Sequence, residues 1–172
     1  AFTLHTYLAL TGGTDVFLRD GAGWFPAEHR REILETQASE GLRVHVDIPE
    51  GISCDGAPNV LVVCFENGFY PWMRHASTGL PAQRVRLAQE EGRPLGEEML
   101  LLCRSGKKGG ERLLPWRYID ALHKAGPHDM IFTVDENSGE ICFGDNLSGA
   151  IVPAGDGAIY IAQLAYTQDV EG

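Results

Sequence analysis

Alternation between apolar and polar positions dominates the chain. Phe2, Leu4, Thr6, Leu8 and Leu10 share one face of an extended segment and Thr3, His5, Tyr7 and Ala9 the other, which predicts a strand ended by Gly12-Gly13. Leu42, Val44, Val46 and Ile48 alternate with Arg43, His45 and Asp47, the pattern of a half-buried strand in an antiparallel sheet, and Pro49 to Gly51 end it. Val60 to Glu66 is apolar on both faces and meets Asn67-Gly68, a two-residue turn signal, before Phe69 to Met73. A hairpin with an aromatic second arm is expected there. Gln83 to Leu87, Met99 to Arg104 and Ala158 to Tyr166 supply three more strands. Asp129 to Asp135 and Glu140 to Gly144 flank Glu136-Asn137-Ser138-Gly139, where Gly139 can take the left-handed conformation that a hairpin turn needs.

Two stretches depart from this period. Between Pro26 and Ser39 the residues are good helix formers, and a proline is harmless in a first helical turn, so a surface helix is predicted over residues 26–39. Only Ile33 and Leu34 give it an apolar stripe. Trp116, Ile119, Leu122 and His123 stand at helical spacing before Gly126-Pro127, which predicts one or two helical turns, although propensity leaves a strand open for Arg117 to Asp120. The fold class expected is mainly β (α+β), with antiparallel, sandwich-like sheets and one or two short surface helices. The loop at Ser105 to Gly110 is the expected divide between a β-rich N-terminal domain, residues 1–104, and a hairpin-containing C-terminal region, residues 111–172.

Composition narrows the function classes. Across 172 residues there are 21 Gly and 9 Pro, as suits short strands joined by many turns. The net charge of −10 repels phosphate backbones and anionic lipid, so neither nucleic acid nor a membrane surface is an expected partner. Apolar runs such as Val60 to Phe65 are too short to span a bilayer, and no charged head with an apolar body opens the chain; a soluble protein made in the cytoplasm is expected. Cys54, Cys64, Cys103 and Cys142 are widely spaced, and the last three sit in apolar runs as buried free thiols would. The opening alanine, and a closing glycine that follows a strand directly, are what a segment of a longer polypeptide would show.

Candidate chemistry is sparse. None of His5, His29, His45, His75, His123 and His128 lies beside a cysteine in a ligand-like cluster. Arg104-Ser105-Gly106 lacks the first glycine and the helix of a serine nucleophile turn, and the glutamates are spread as on any acidic surface. Asp145, Asn146 and Asp156, set among Gly144, Gly149, Gly155 and Gly157, have the composition of a hard-cation loop without its alternating ligand spacing. The better reading is turn chemistry, with the glycines adopting unusual angles and Asp145 and Asn146 bonding their own backbone. Gly155-Asp156-Gly157 has no following lysine or helix and is no phosphate cradle. Trp24, Trp72 and Trp116, with Phe69 and Tyr70, would form a sugar-stacking platform if exposed, and core or subunit contact otherwise.

From Gly79 onward an ordered series of motifs resembles the baseplate J-like proteins of contractile phage tails and related injection machines. It opens with Gly79-Leu80-Pro81-Ala82-Gln83-Arg84-Val85-Arg86-Leu87 and continues through the Met99 to Cys103 strand, a glycine-rich loop and Trp116 with Ile119-Asp120. Gly126-Pro127-His128-Asp129 then leads to Asp135, followed by Ser138-Gly139-Glu140-Ile141-Cys142-Phe143-Gly144-Asp145-Asn146, Gly149 and Pro153-Ala154-Gly155. The chain closes with Ile159 to Tyr166 and Glu171-Gly172, where the family pattern would run on into a glycine-rich continuation. Residues 79–172 carry the likeness, and residues 1–77 carry none. Asn146 stands where such proteins commonly have glycine, and asparagine tolerates the left-handed conformation well enough for the turn to survive.

The resemblance implies a wedge subunit, made in the bacterial cytoplasm and then built into a tail baseplate or injection particle. It implies contacts with copies of itself and with neighbouring tail proteins, and no catalysis, cofactor, metal, nucleic acid or membrane. Gly79, Pro81, Gln83, Trp116, Asp135, Gly139, Phe143, Gly144, Asp145, Gly149, Pro153 and Gly155 are its structural motif residues, and hairpin edges such as Ile131 to Asp135 are candidates for pairing with another chain. A carbohydrate-binding β-sandwich that uses the tryptophans is the alternative, and a glycan is a partner only under that reading.

Overall fold

The computed structural model describes residues 2–4, 13–35, 40–50, 52, 59–65, 73–86, 99–106, 112–163 and 170–171. The fold is mainly β. In chain order the strands are β1 (Phe2–Leu4), β2 (Gly13–Asp20), β3 (Gly23–Pro26), β4 (His29–Glu35), β5 (Glu40–Val46), β6 (Val60–Phe65), β7 (Met73–Ser77), β8 (Arg84–Arg86), β9 (Met99–Arg104), β10 (Leu113–Tyr118), β11 (Ile131–Asp135), β12 (Glu140–Phe143), β13 (Gly155–Gln163) and β14 (Val170–Glu171). A 3-10 turn, Leu122–Lys124, lies between β10 and β11. The chain divides into unit 1, Ala1–Tyr70 with Tyr166–Gly172, and unit 2, Pro71–Ala165. The divide does not fall in the loop after Arg104, because β9 and β10 on either side of that loop pair with each other from Leu113↔Arg104 to Trp116↔Leu101.

Unit 1 contains an antiparallel sheet in the order β14-β1-β5-β4 and an antiparallel set β3-β2-β6. Sequence patterning did not single out the β2–β3 hairpin. Its turn is closed by the Asp20 carboxylate, which accepts from the N–H groups of Ala22 at 2.8 Å and Gly23 at 3.1 Å. Val16 of β2 packs with Leu42 and Val44 of β5, and half-buried Ala27, Val46, Val60, Val62 and Cys64 cover them. Each fully buried Leu or Val contributes about 1.5–3 kcal/mol by leaving water.

The helix expected over residues 26–39 is not formed where the structure describes it. Residues 29–35 are strand β4, paired with β5 from His29↔Val46 to Glu35↔Glu40 without a shift in register. Too few apolar residues face one side for a helix to gain by packing. The strand instead sets Glu32 between Arg43, at 3.8 Å, and His45, at 2.8 Å. Ladder hydrogen bonds and cross-strand charge pairs override a modest helix propensity.

Unit 2 is a continuous path of seven strands, β7-β13-β9-β10-β11-β12-β8, antiparallel except for β10–β11. β10 pairs with β9 through Leu113 to Trp116 and with β11 through Arg117 and Tyr118, so it hands the sheet from one half to the other. Both halves feed one core: Met99, Leu101, Cys103, Ile159 and Ile161 from the first, Val85, Phe132, Ile141 and Phe143 from the second, with Trp116 and Val152. The helical spacing of Trp116, Ile119 and Leu122 is therefore a strand followed by a short turn; only Leu122–Lys124 is helical, closed by the Ala125 N–H on the Leu122 carbonyl. The register of Trp116 with Leu101, together with its burial, holds that residue extended.

Most other expected strands are present with shifted ends, whereas β7 was not foreseen. The expected Asn67-Gly68 hairpin and residues 5–12 lie outside the described residues. The hairpin strand β11 is not a free edge along its whole length, since Ile131 and Phe132 pair with β10 and Phe132 to Asp135 pair with β12.

Candidate functional site

The motif residues expected from the sequence lie in unit 2, and most of them meet where three loops lock together. The first loop leaves β7 at Ser77, whose buried Oγ lies 2.9 Å from both the Gln83 Oε1 and the Val152 carbonyl, to either of which the hydroxyl can donate. Gln83 acts as a clamp. Its Oε1 also accepts from the Thr78 N–H at 3.0 Å and Oγ1 at 3.1 Å, while its Nε2 donates to the Ala76 carbonyl at 3.3 Å. One side chain thereby fixes both ends of the 77–83 turn, with Pro81 exposed within it.

Gly79, at φ +70°, is the first close approach, because a Cβ there would meet the Ala154 Cβ at 2.9 Å. Ala82, at φ 54°, also lies in the left-handed region, and its N–H donates to the Gly144 carbonyl at 2.9 Å. Phe143 N–H donates to the Gln83 carbonyl at 3.0 Å, which stitches the first loop to the end of β12. Gly144 is required by space rather than by angle. A Cβ on it would lie 2.2 Å from the backbone of Gly149.

The second loop, residues 144–151, is held by its own polar side chains. The Asp145 Oδ1 accepts from the N–H groups of Leu147 at 2.9 Å and Ser148 at 2.8 Å, and those of Ser148 and Leu147 hold its carboxyl below the ordinary 3.8. Asn146 sits at φ 67°, the left-handed position anticipated for it, and its Oδ1 accepts from the Ile151 N–H at 3.2 Å. Turn chemistry thus employs both residues. Gly149, at φ +88° and pressed on Ile131, donates to the Gly126 carbonyl at 2.9 Å. That contact ties in the third loop, where the Asp129 Oδ2 accepts from Gly126 N–H at 2.8 Å and the Asp129 carbonyl from Ala150 N–H at 2.9 Å.

The remaining motif residues support this cluster or lie away from it. Trp116 is buried and meets Phe143 edge-to-face, with ring centroids 5.6 Å apart, directly before Gly144. Pro153 and Gly155 follow the second loop, with Gly155 beside the Arg104 guanidinium, which donates to the Ala154 carbonyl. Asp135 and Gly139 stand at the opposite end of the β11–β12 hairpin, where Gly139 has φ 67° and Asp135 accepts from the N–H groups of Asn137 and Ser138. Ser77, Ala82 and Asp129 escaped the sequence reading as parts of the lock. The Ser-Thr pair before Gly79 was a legible turn signal; nothing marked Ala82.

The cluster's chemistry is that of a rigid, self-satisfied surface. Its carboxylates are occupied by backbone N–H groups, and among the described residues no three His, Cys, Asp or Glu side chains gather to hold a metal ion. Leu147, Leu80 and Met130, one from each loop, are 80%, 63% and 42% exposed. Trp116, being buried, offers no sugar platform; Trp24 is half-buried with the Arg19 guanidinium 5.9 Å from its ring, and Trp72 lies outside the described residues. A cleft of about 380 Å³ in unit 1 is lined by Arg30, His45, Val46 and Asp47. Among the described residues no helix is long and apolar enough to cross a membrane. Comparison with protein-family models, with curated proteins and with solved structures finds no match.

Proposed function

We propose that the chain is a non-catalytic structural segment of a contractile-tail baseplate, a wedge element that joins copies of itself and neighbouring tail proteins. The observation that supports this most is convergence. Residues that the likeness strings along the sequence from Gly79 to Gly149 interlock in one loop cluster, by hydrogen bonds and close approaches that leave little freedom. An assembly part needs contact surfaces held in fixed geometry, and the exposed Leu80, Met130 and Leu147 ride on such a scaffold. The proposed location is the bacterial cytoplasm during assembly and then the baseplate of the finished particle.

The test begins with gene neighbourhood, which should place the parent gene among those for tail sheath, tail tube and spike. Purified tail or injection particles should then contain the protein by mass spectrometry. A gene remote from all tail genes, or particles that lack the protein, would end the proposal.

A further inference from the structure

We infer that β4 is a self-complementary edge, through which unit 1 of one chain pairs antiparallel with unit 1 of a second copy. The inference deepens the assembly role proposed above by naming a surface, and it rests on that role for its purpose. β4 ends the β14-β1-β5-β4 sheet, and among the described residues no strand pairs with its other side. Arg30, Arg31, Glu32 and Ile33 are all exposed along it. A strand edge in water presents unused N–H and C=O groups that template a further strand.

Three features favour a second copy as the occupant. The first is an exposed apolar residue: Ile33 is 60% exposed in mid-strand, although its cross-strand partner Leu42 is fully buried. The second is charge order. The strand reads His-Arg-Arg-Glu-Ile-Leu-Glu, basic in its first half and acidic with apolar residues in its second. Antiparallel pairing with a copy about Ile33 sets Ile33 opposite its own counterpart and the position of Arg31 opposite that of Glu35, whereas parallel in-register pairing opposes like charges; opposite charges across a ladder are favourable and like charges are not. The third is length and regularity: β4 pairs with β5 over seven residues with no proline and no bulge to break its outer edge. By contrast, β8 has only three residues, and residues 60–64 of β6 are half-buried.

One added strand pair buries less than a standard interface, so a dissociation constant weaker than about 1 μM is expected. Sedimentation of the full chain across about three decades of concentration around that value should show a monomer–dimer equilibrium. Ile33→Lys places a charge on the edge without removing a buried group; it should weaken the dimer at least tenfold and leave the circular dichroism spectrum unchanged. Leu80→Lys, in unit 2, should leave dimerisation as it was. A chain that stays monomeric throughout, or an Ile33→Lys variant that dimerises like the parent, overturns the inference. Dimerisation lost to Leu80→Lys but not to Ile33→Lys does the same. A monomeric chain found in tail particles would sink this inference alone, and an Ile33-dependent dimer encoded far from tail genes would sink the baseplate proposal alone.

Discussion

Unit 2 gathers eleven buried residues into one core around the Trp116–Phe143 pair, while the described core of unit 1 centres on Val16, Leu42 and Val44 beneath half-buried neighbours. The units also hold their connections differently. In unit 2 three loops are stitched to one another by backbone bonds and glycine contacts; in unit 1 the described contacts are mostly those of neighbouring strands. The difference separates two ways of making a β-rich part rigid. Where loops are interlocked, geometry persists at the ends of the strands, which is where a partner can reach it.

The largest test of that contrast is truncation of the two cores. Phe143→Ala should destabilise unit 2 by about 3–5 kcal/mol, and Leu42→Ala should cost unit 1 about 2–5 kcal/mol. Urea unfolding followed by separate probes should show each variant shifting the transition of its own unit. A single transition moved equally by both would show that the chain unfolds as one body and would break the comparison.

Gly144→Ala comes next. Its Cβ would run into the backbone of Gly149, which has no flexible end to yield, so a loss of about 3 kcal/mol is expected in the unit 2 transition. Gln83→Ala removes the clamp and should cost about 1–3 kcal/mol, with faster amide exchange at Thr78 as its local sign. Gly157→Ala should cost only about 1 kcal/mol, because its φ of +60° is strained for alanine but the space around it is open. A Gly157 variant worse than the Gly144 variant would reverse the argument that crowding, rather than angle, constrains the lock.

The smallest effect concerns pH. Asp145 has its carboxyl held below the ordinary value by the Ser148 and Leu147 N–H groups, so its contribution is present above the unfolded pKa and lost as pH falls through the lower folded one. Asp145→Asn should therefore lower unit 2 stability slightly at neutrality and flatten part of its acid limb below about pH 4, where variant and parent converge. In unit 1 the hydrogen bond from His45 lowers Glu32 in the same direction, so Glu32→Gln is the matching control.

Legibility followed how local each feature is, in both units. The β11–β12 hairpin, the left-handed Asn146 and Gly139, and the self-bonding of Asp145 could be read because turn chemistry is local and residue-specific. β4 was misread as helix because its choice depends on β5, a partner that propensity does not see. Trp116 stood at helical spacing by coincidence, and only its pairing with Leu101 decides for strand. The lock itself was half visible. Gly144 and Gly149 stood out as glycines, yet their mutual contact, and the reach of Gln83 to Ser77 and Thr78, exist only after folding.

Cys103 lies fully buried in β9 between β10 and β13, and desolvation pushes its thiol well above the ordinary 9.0. Reagents attack the thiolate, so this sulfur is silent for as long as the strands around it stay closed. It is thereby a clock native to unit 2: alkylation of Cys103, timed against half-buried Cys142, reads how often that unit opens without any label being added.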